Sequence, residues 1–283
     1  MNIIDTHFHY SKIESFFNAA KNNGVNYSKE GFVMETKENN IVAGVCMGLT
    51  ESRNGCFPDN KASTPMNYDL DEMPDNFYFC AGINPLDLGC RALSDLEATL
   101  NREDCAGIKL YAGYYHYFVS DDVYDPVCRL ALKYNLPIVI HSGSTYSSRG
   151  LLKYSHPLSF DELAVKYPDL KIVIAHFGNP WIMDTAELMY KHKNVYADLS
   201  GILEGKEEMF DRLTGEELYM NRFKTALIQA DHYDRFLYGS DWPLAKMEVY
   251  IKFIKKMIPE KHWDKVFYEN ALNVFKKIKG GIQ

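Results

Sequence analysis

The chain has 283 residues, 46% of them hydrophobic, enough to bury a large core as two small domains or as one domain of barrel size. Its 31 Lys and Arg are outnumbered by 38 Asp and Glu, giving a net charge of −7, which argues against a nucleic-acid partner because a phosphate backbone calls for a basic surface. No apolar run approaches the ~18 residues of a membrane span, and Asp5 and His7 interrupt the start where a secretory signal would need its apolar stretch. The expectation is a cytoplasmic protein with a small-molecule substrate and no membrane partner.

The chain opens with "NIIDTHFHY" from residue 2, the first of eight short apolar runs bounded by turn residues. "IVAGVCMG" from 41, "FYFCAGINP" from 77, "AGIKLYAG" from 106, "PIVIHSG" from 137, "KIVIAHFG" from 171, "NVYADLSG" from 194 and "RFLYGSDWP" from 235 complete the set. Each is continuous rather than alternating, as a strand covered on both faces requires. Helical periodicity fills the gaps, for example over 123–135, 159–170 and 248–259, and Ser159 with Glu162 has the spacing of a capping box. Two connections are longer than a barrel needs: 49–76, with Arg53 and three prolines, and 201–223, charged and predicted helical. The alternation and the count of eight predict a single α/β domain over 1–283, a (β/α)8 TIM-type barrel. A doubly wound sheet would carry a glycine-rich turn after its first strand, where this chain has "THFHYSKIE". The six cysteines are scattered with no CxxC pair, several in apolar runs, so neither a disulfide framework nor a cysteine zinc site is expected.

In such a barrel the polar residues at the C-terminal strand ends line the active-site mouth. Here these are His7 and His9 after the first run, Lys109 in the fourth, and His141, His176 and Asp241 at the ends of the fifth, sixth and eighth. Taken singly, each has an ordinary reading: a hydrogen-bonded core histidine, a turn aspartate or helix N-cap, a lysine paired at the rim. Their falling at the same end of four strands points instead to one metal site. His7, His9, His141 and Asp241 form the ligand set for one divalent ion, zinc first and manganese second, and His176 is the proton-handling base and acid. Lys109 is read first as a substrate-binding cation and second as a carbamylated bridge between two metals. Tyr111, Tyr114, Tyr115 and Tyr117 form an aromatic stretch after the fourth strand, either a packed surface cluster or a pocket wall. Arg53 and Arg149 are candidate clamps for a carboxylate, and Trp242 a pocket wall or a packed rim residue.

The motifs "DTHFH" at 5–9, "GIKLY" at 107, "PIVIHSG" at 137, "IVIAHFG" at 172, "YGSDWP" at 238 and "ENALNVF" at 269 span nearly the whole chain. In them the chain resembles the amidohydrolase superfamily, in the branch of aminocarboxymuconate-semialdehyde decarboxylase and pyrone dicarboxylate lactonase. The resemblance implies a metal-dependent barrel with His7, His9, His141 and Asp241 as ligands and His176 moving protons; homodimers are common in that family. TatD-type nucleases share the HxH start but carry a glutamate ligand on strand four and "ETD" on strand eight, where this chain has Lys109 and "GSD". Two reactions fit: hydrolysis of a small amide, lactone or ester by a metal-activated water, with His176 or Asp241 managing the proton, placed first on breadth across the superfamily, and non-oxidative decarboxylation of a small aromatic or enol acid by the same catalytic residues. A ligand-binding barrel without turnover would be expected to lack part of the ligand set.

Overall fold

Each of the eight apolar runs forms a strand: β1 Ile3–Phe8, β2 Ile41–Met47, β3 Phe77–Ile83, β4 Cys105–Leu110, β5 Ile138–Ile140, β6 Ile172–Ile174, β7 Val195–Asp198 and β8 Phe236–Leu237. In this computed structural model, which describes residues 1–68 and 72–279, neighbouring strands pair in parallel in chain order from β1 to β8. Residues 69–71, inside the long connection predicted over 49–76, lie outside the described residues. The ring closes where the residues after β8 meet β1. Thr6 N donates to Tyr238 O at 2.9 Å, Asp241 N to His7 O at 2.8 Å and His9 N to Trp242 O at 2.8 Å. The predicted (β/α)8 barrel is the observed architecture.

Helices cover the outside. α1 Glu14–Asn23 and α2 Lys29–Glu38 precede β2, α3 Cys90–Leu100 follows β3, and α4 Asp125–Tyr134 follows β4. α5 Leu152–Ser155 and α6 Asp161–Lys166 follow β5, α7 Ile182–Lys191 follows β6, and α8 Glu207–Gly215 and α9 Glu217–Ala230 fill the connection after β7, as its charge pattern predicts. α10 Met247–Met257 and α11 Asn270–Val274 follow β8. The apolar side chains divide between the strand–helix layer and the barrel interior. In the interior Ile4, Val45, Val139, Val173 and Leu237 pack with Ala271, Val274 and Phe275, so α11 and the turn after it plug the bottom of the barrel and leave its top for chemistry.

Two local details differ from the sequence reading. β1 is not a regular strand: Asp5 pairs with Gly44 and Phe8 with Cys46, so one extra residue is inserted between them. This bulge, rather than simple alternation, re-aims the side chains of the HxH stretch. The Ser159 capping box does not form, because Pro157–Phe160 is a 3-10 turn and α6 starts beyond it. Ser159 Oγ instead donates to His156 O at 2.7 Å, and Glu162 accepts from Ser120 Oγ at 2.9 Å. All six cysteines are free, four of them buried, in keeping with their scatter. No helix among the described residues is long and apolar enough to cross a membrane.

Candidate active site

A cavity of about 420 Å³ opens at the C-terminal strand ends, and its wall includes His9, Lys109, His141, His176 and Asp241. Two of these groups, His176 and Asp241, arrive through backbone that few L-residues adopt. His176 (φ 60°) and Phe177 (φ 49°) follow β6, and Asp241 (φ 57°) follows β8. Such left-handed turns at strand ends cost energy and turn a side chain off the strand's own direction. Gly201, at φ +60°, sits where a Cβ would lie 2.6 Å from His176 Nδ1 and 2.7 Å from Asp241 Oδ2, so any side chain there would enter the site. Asp5 ties the two edges together, its Oδ1 accepting from His7 N at 3.1 Å and Ser240 N at 3.0 Å. Burial pushes the Asp5 carboxyl up to about 7.

His7, His9 and Asp241 are one convergent group, each offering a ligand atom within 4.8 Å of the others. His9 Nε2 lies 3.2 Å and His7 Nε2 3.7 Å from Asp241 Oδ1. Burial draws His7 and His9 below their usual range, which keeps them neutral with lone pairs to give. Burial acts on Asp241 in the other direction, and the surrounding imidazoles of His176, His7 and His9 outweigh it, holding the carboxylate ionised. Asp241 Oδ1 and His9 Nδ1 are buried without hydrogen-bond partners. Two neutral imidazoles and an anionic oxygen left unsatisfied in one place suit a divalent cation. His141 stands outside that trio: its Nε2 faces Ser144 O at 3.1 Å and its Nδ1 faces His176 Nε2 at 3.2 Å. Burial lowers both, His176 to about 4.

The sequence reading missed Asp198, the last residue of β7. Its Oδ2 lies 2.8 Å from His7 Nδ1, so that nitrogen donates and the ring's lone pair falls on Nε2, the nitrogen that faces Asp241. Burial would raise Asp198, but His7, His176 and Lys109 hold it well below the usual carboxylate range. The signal was present, since Asp198 ends an apolar run just as Asp241 does. Asp198→Asn is expected to weaken metal binding about 10–100-fold by freeing the His7 ring; competition of zinc against a fluorescent chelator measures it, and unchanged affinity would remove Asp198 from this role.

Lys109 is 1% exposed, with Nζ 3.4 Å from His7 Nε2 and 5.5 Å from the centre of the Tyr111 ring. Among the described residues no carboxylate stands within ion-pair distance of it. Burial lowers it to about 8, partly offset by Asp198 and Asp241, so it remains largely cationic at neutral pH.

Other predicted residues divide. Tyr111 and Tyr114 line the cavity, Tyr111 donating to Gly48 O at 2.7 Å and Tyr114 OH accepting from Tyr146 N at 2.9 Å. Tyr115 is buried outside the wall and donates to Asp59 O at 3.0 Å, while Tyr117 is half-buried against the core. Arg149 lines the cavity, but its guanidinium donates to Cys56 O at 2.8 Å and Phe57 O at 2.6 Å, clasping the loop after β2 to the loop after β5. Arg53 is exposed and outside the wall. Trp242 does not face the cavity either. It is fully buried beneath the rim against Tyr27 and Phe32, with its indole N–H donating to Glu35 at 3.2 Å.

A parallel eightfold barrel with histidines and an aspartate gathered at its upper rim defines a class of metal-dependent barrel enzymes. The amidohydrolase family profile matches residues 4–277, and the chain belongs to that family. A search of curated proteins finds no match. Among solved structures, the chain is similar to a protein from Acinetobacter baumannii described as a "probable 2-pyrone-4,6-dicarboxylic acid hydrolase", with citric acid bound (19% identity, 98% of this chain and 100% of that one, TM-score 0.62). It is also similar to 5-carboxyvanillate decarboxylase from Novosphingobium aromaticivorans, complexed with manganese and a nitrobenzoic acid (14% identity, 97% of this chain and 96% of that one, TM-score 0.63). A third is 2,6-dihydroxybenzoate decarboxylase from Rhizobium (16% identity, 98% of this chain and 99% of that one, TM-score 0.64). At these identities the likeness is one of fold. The chain is an enzyme of the amidohydrolase superfamily.

Proposed function

We propose that this protein is a metal-dependent, non-oxidative decarboxylase of a small aromatic or enol carboxylic acid, the second of the two reactions the sequence suggests. The observation that carries this reading is Lys109: a buried cation with no carboxylate partner, on the wall of the cavity beside the metal-type trio. An unpaired buried charge is costly, and an anionic substrate group would relieve it; a neutral amide or lactone would not. Similarity in fold to two decarboxylases of hydroxylated aromatic acids supports the choice. His7, His9 and Asp241, with His141 adjacent, would hold the ion, zinc or manganese; a second ion bridged by carbamylated Lys109 is the lesser arrangement. When bound, the cation supplies a Lewis acid that fixes and polarises a substrate oxygen.

The chain's own residues do the rest. Phe16, Leu49, Phe57, Tyr111 and Leu244 give the cavity apolar walls that suit a flat ring. They also exclude water from a carboxylate whose charge disperses as its C–C bond breaks. Lys109 orients that carboxylate. The electron pair of the breaking bond stays on the ring carbon, and a proton joins that carbon as CO₂ leaves. His176, whose Nδ1 is 3.8 Å from Asp241 Oδ2, is the group that passes the proton, being neutral at rest and therefore free to receive one from solvent.

The test is CO₂ release from a panel of hydroxybenzoic acids, including 2,6-dihydroxybenzoate and 5-carboxyvanillate, by protein loaded with manganese or zinc. Release that a chelator abolishes and added metal restores is the expected result. Hydrolysis of neutral lactones or amides with no CO₂ from any acid would return the hydrolase reading to first place.

A further inference from the structure

Asp198 holds more than His7. Its Oδ2 takes the His7 ring, and its Oδ1 accepts from His176 N at 3.0 Å, from Ser200 N at 3.1 Å and from the Ser200 hydroxyl. Ser200 Oγ in turn lies 2.8 Å from His176 Nδ1. All four residues are buried at the ends of β1, β6 and β7.

Counting protons settles the direction of these bonds. A carboxylate with two backbone N–H groups already on Oδ1 is acceptor-only, so the single hydroxyl proton of Ser200 goes to Asp198. Ser200 Oγ then has only lone pairs to offer His176, and Nδ1 must carry the ring proton. No other acceptor competes, since Asp241 Oδ2 is 3.8 Å from Nδ1, beyond hydrogen-bond reach. With the proton on Nδ1, the other ring nitrogen, Nε2, is a lone pair. His141 is set in the mirror sense. Its Nε2 faces the Ser144 carbonyl, which can only accept, so Nε2 carries the proton and Nδ1 is the lone pair that meets His176 Nε2 at 3.2 Å.

We infer that Ser200 is a positioning residue that fixes His176 in its Nδ1–H tautomer, so that the carboxylate of Asp198 sets two histidines at once, His7 directly and His176 through the serine hydroxyl. One contact orients a ring of the metal-type trio, and the other fixes which nitrogen of a second ring carries its proton. The assignment concerns the ring's tautomer and stands whether the reaction is decarboxylation or hydrolysis.

The experiment is long-range proton–nitrogen correlation NMR of the full chain labelled with [15N]histidine, metal-free and zinc-loaded, with the His176 signals identified by their loss in His176→Gln. In the wild type, Nδ1 of His176 is expected to be protonated and Nε2 not, in both states. In Ser200→Ala that pattern is expected to be lost, with the proton moving to Nε2 or averaging between the nitrogens, while His7, still held by Asp198, keeps its Nδ1–H form. Three results would overturn the inference: a wild-type His176 protonated on Nε2, a Ser200→Ala protein in which His176 stays Nδ1–H, or a variant in which His7 changes as well, which would mark general loosening of the β7 end. The wild-type spectrum alone decides the case if the variant does not fold.

Discussion

Asp241→Ala is expected to reduce bound metal from about one ion per chain to near zero and to abolish turnover with it. Asp241 is the single anionic group of the trio, and its Oδ1 faces both His7 Nε2 and His9 Nε2. Two neutral imidazoles without their carboxylate lose the charge that holds a divalent cation. His176→Ala supplies the contrast. The mutant is expected to keep its metal and to lose turnover by about 10² or more, as removal of a general acid or base does. Metal analysis by inductively coupled plasma mass spectrometry, on protein purified without a histidine tag, measures both. Metal retained in Asp241→Ala would dissolve the ligand set. Metal lost in His176→Ala would make that residue a ligand, a role its Nε2 at 3.2 Å from His141 Nδ1 also allows.

The strands and the gathering of His7, His9, Lys109, His141, His176 and Asp241 at one end of the barrel were legible because they rest on local rules: continuous apolar runs for strands buried on both faces, and polar residues at their ends. What escaped the sequence depends on contacts far along the chain. Arg149 donates to carbonyls of residues 56 and 57, and Trp242 turns inward because Glu35 accepts its indole proton. Asp198 and Ser200 were passed over because "ADLSG" carries no histidine, and their value lies in reaching the histidines of β1 and the β6 turn. Ser159 has the spacing of a helix cap, but Pro157 starts a tighter turn ahead of the helix. The feature on which the proposed reaction rests was closed to the sequence for the same reason, because a lysine's lack of a carboxylate partner is a fact of packing.

Lys109→Met is expected to lower kcat/KM for a carboxylic acid substrate by roughly 10² or more, since leaving a buried charge without its partner costs about 2–5 kcal/mol and about 1.4 kcal/mol is a factor of ten. Methionine fills much of the volume without the charge, which protects a position that is 1% exposed and packed beside Tyr111. The metal readout separates the two roles of the lysine. As a substrate-binding cation, Lys109 can be removed with metal content unchanged, because Nζ is 3.4 Å from His7 Nε2 yet belongs to no convergent ligand group among the described residues. As a carbamylated bridge, its loss would take a second ion with it, from about two per chain to one. Unchanged kcat/KM for acids in the mutant would sink the decarboxylase reading at its root, because the unpaired charge on the cavity wall would then have no part in recognising the carboxylate.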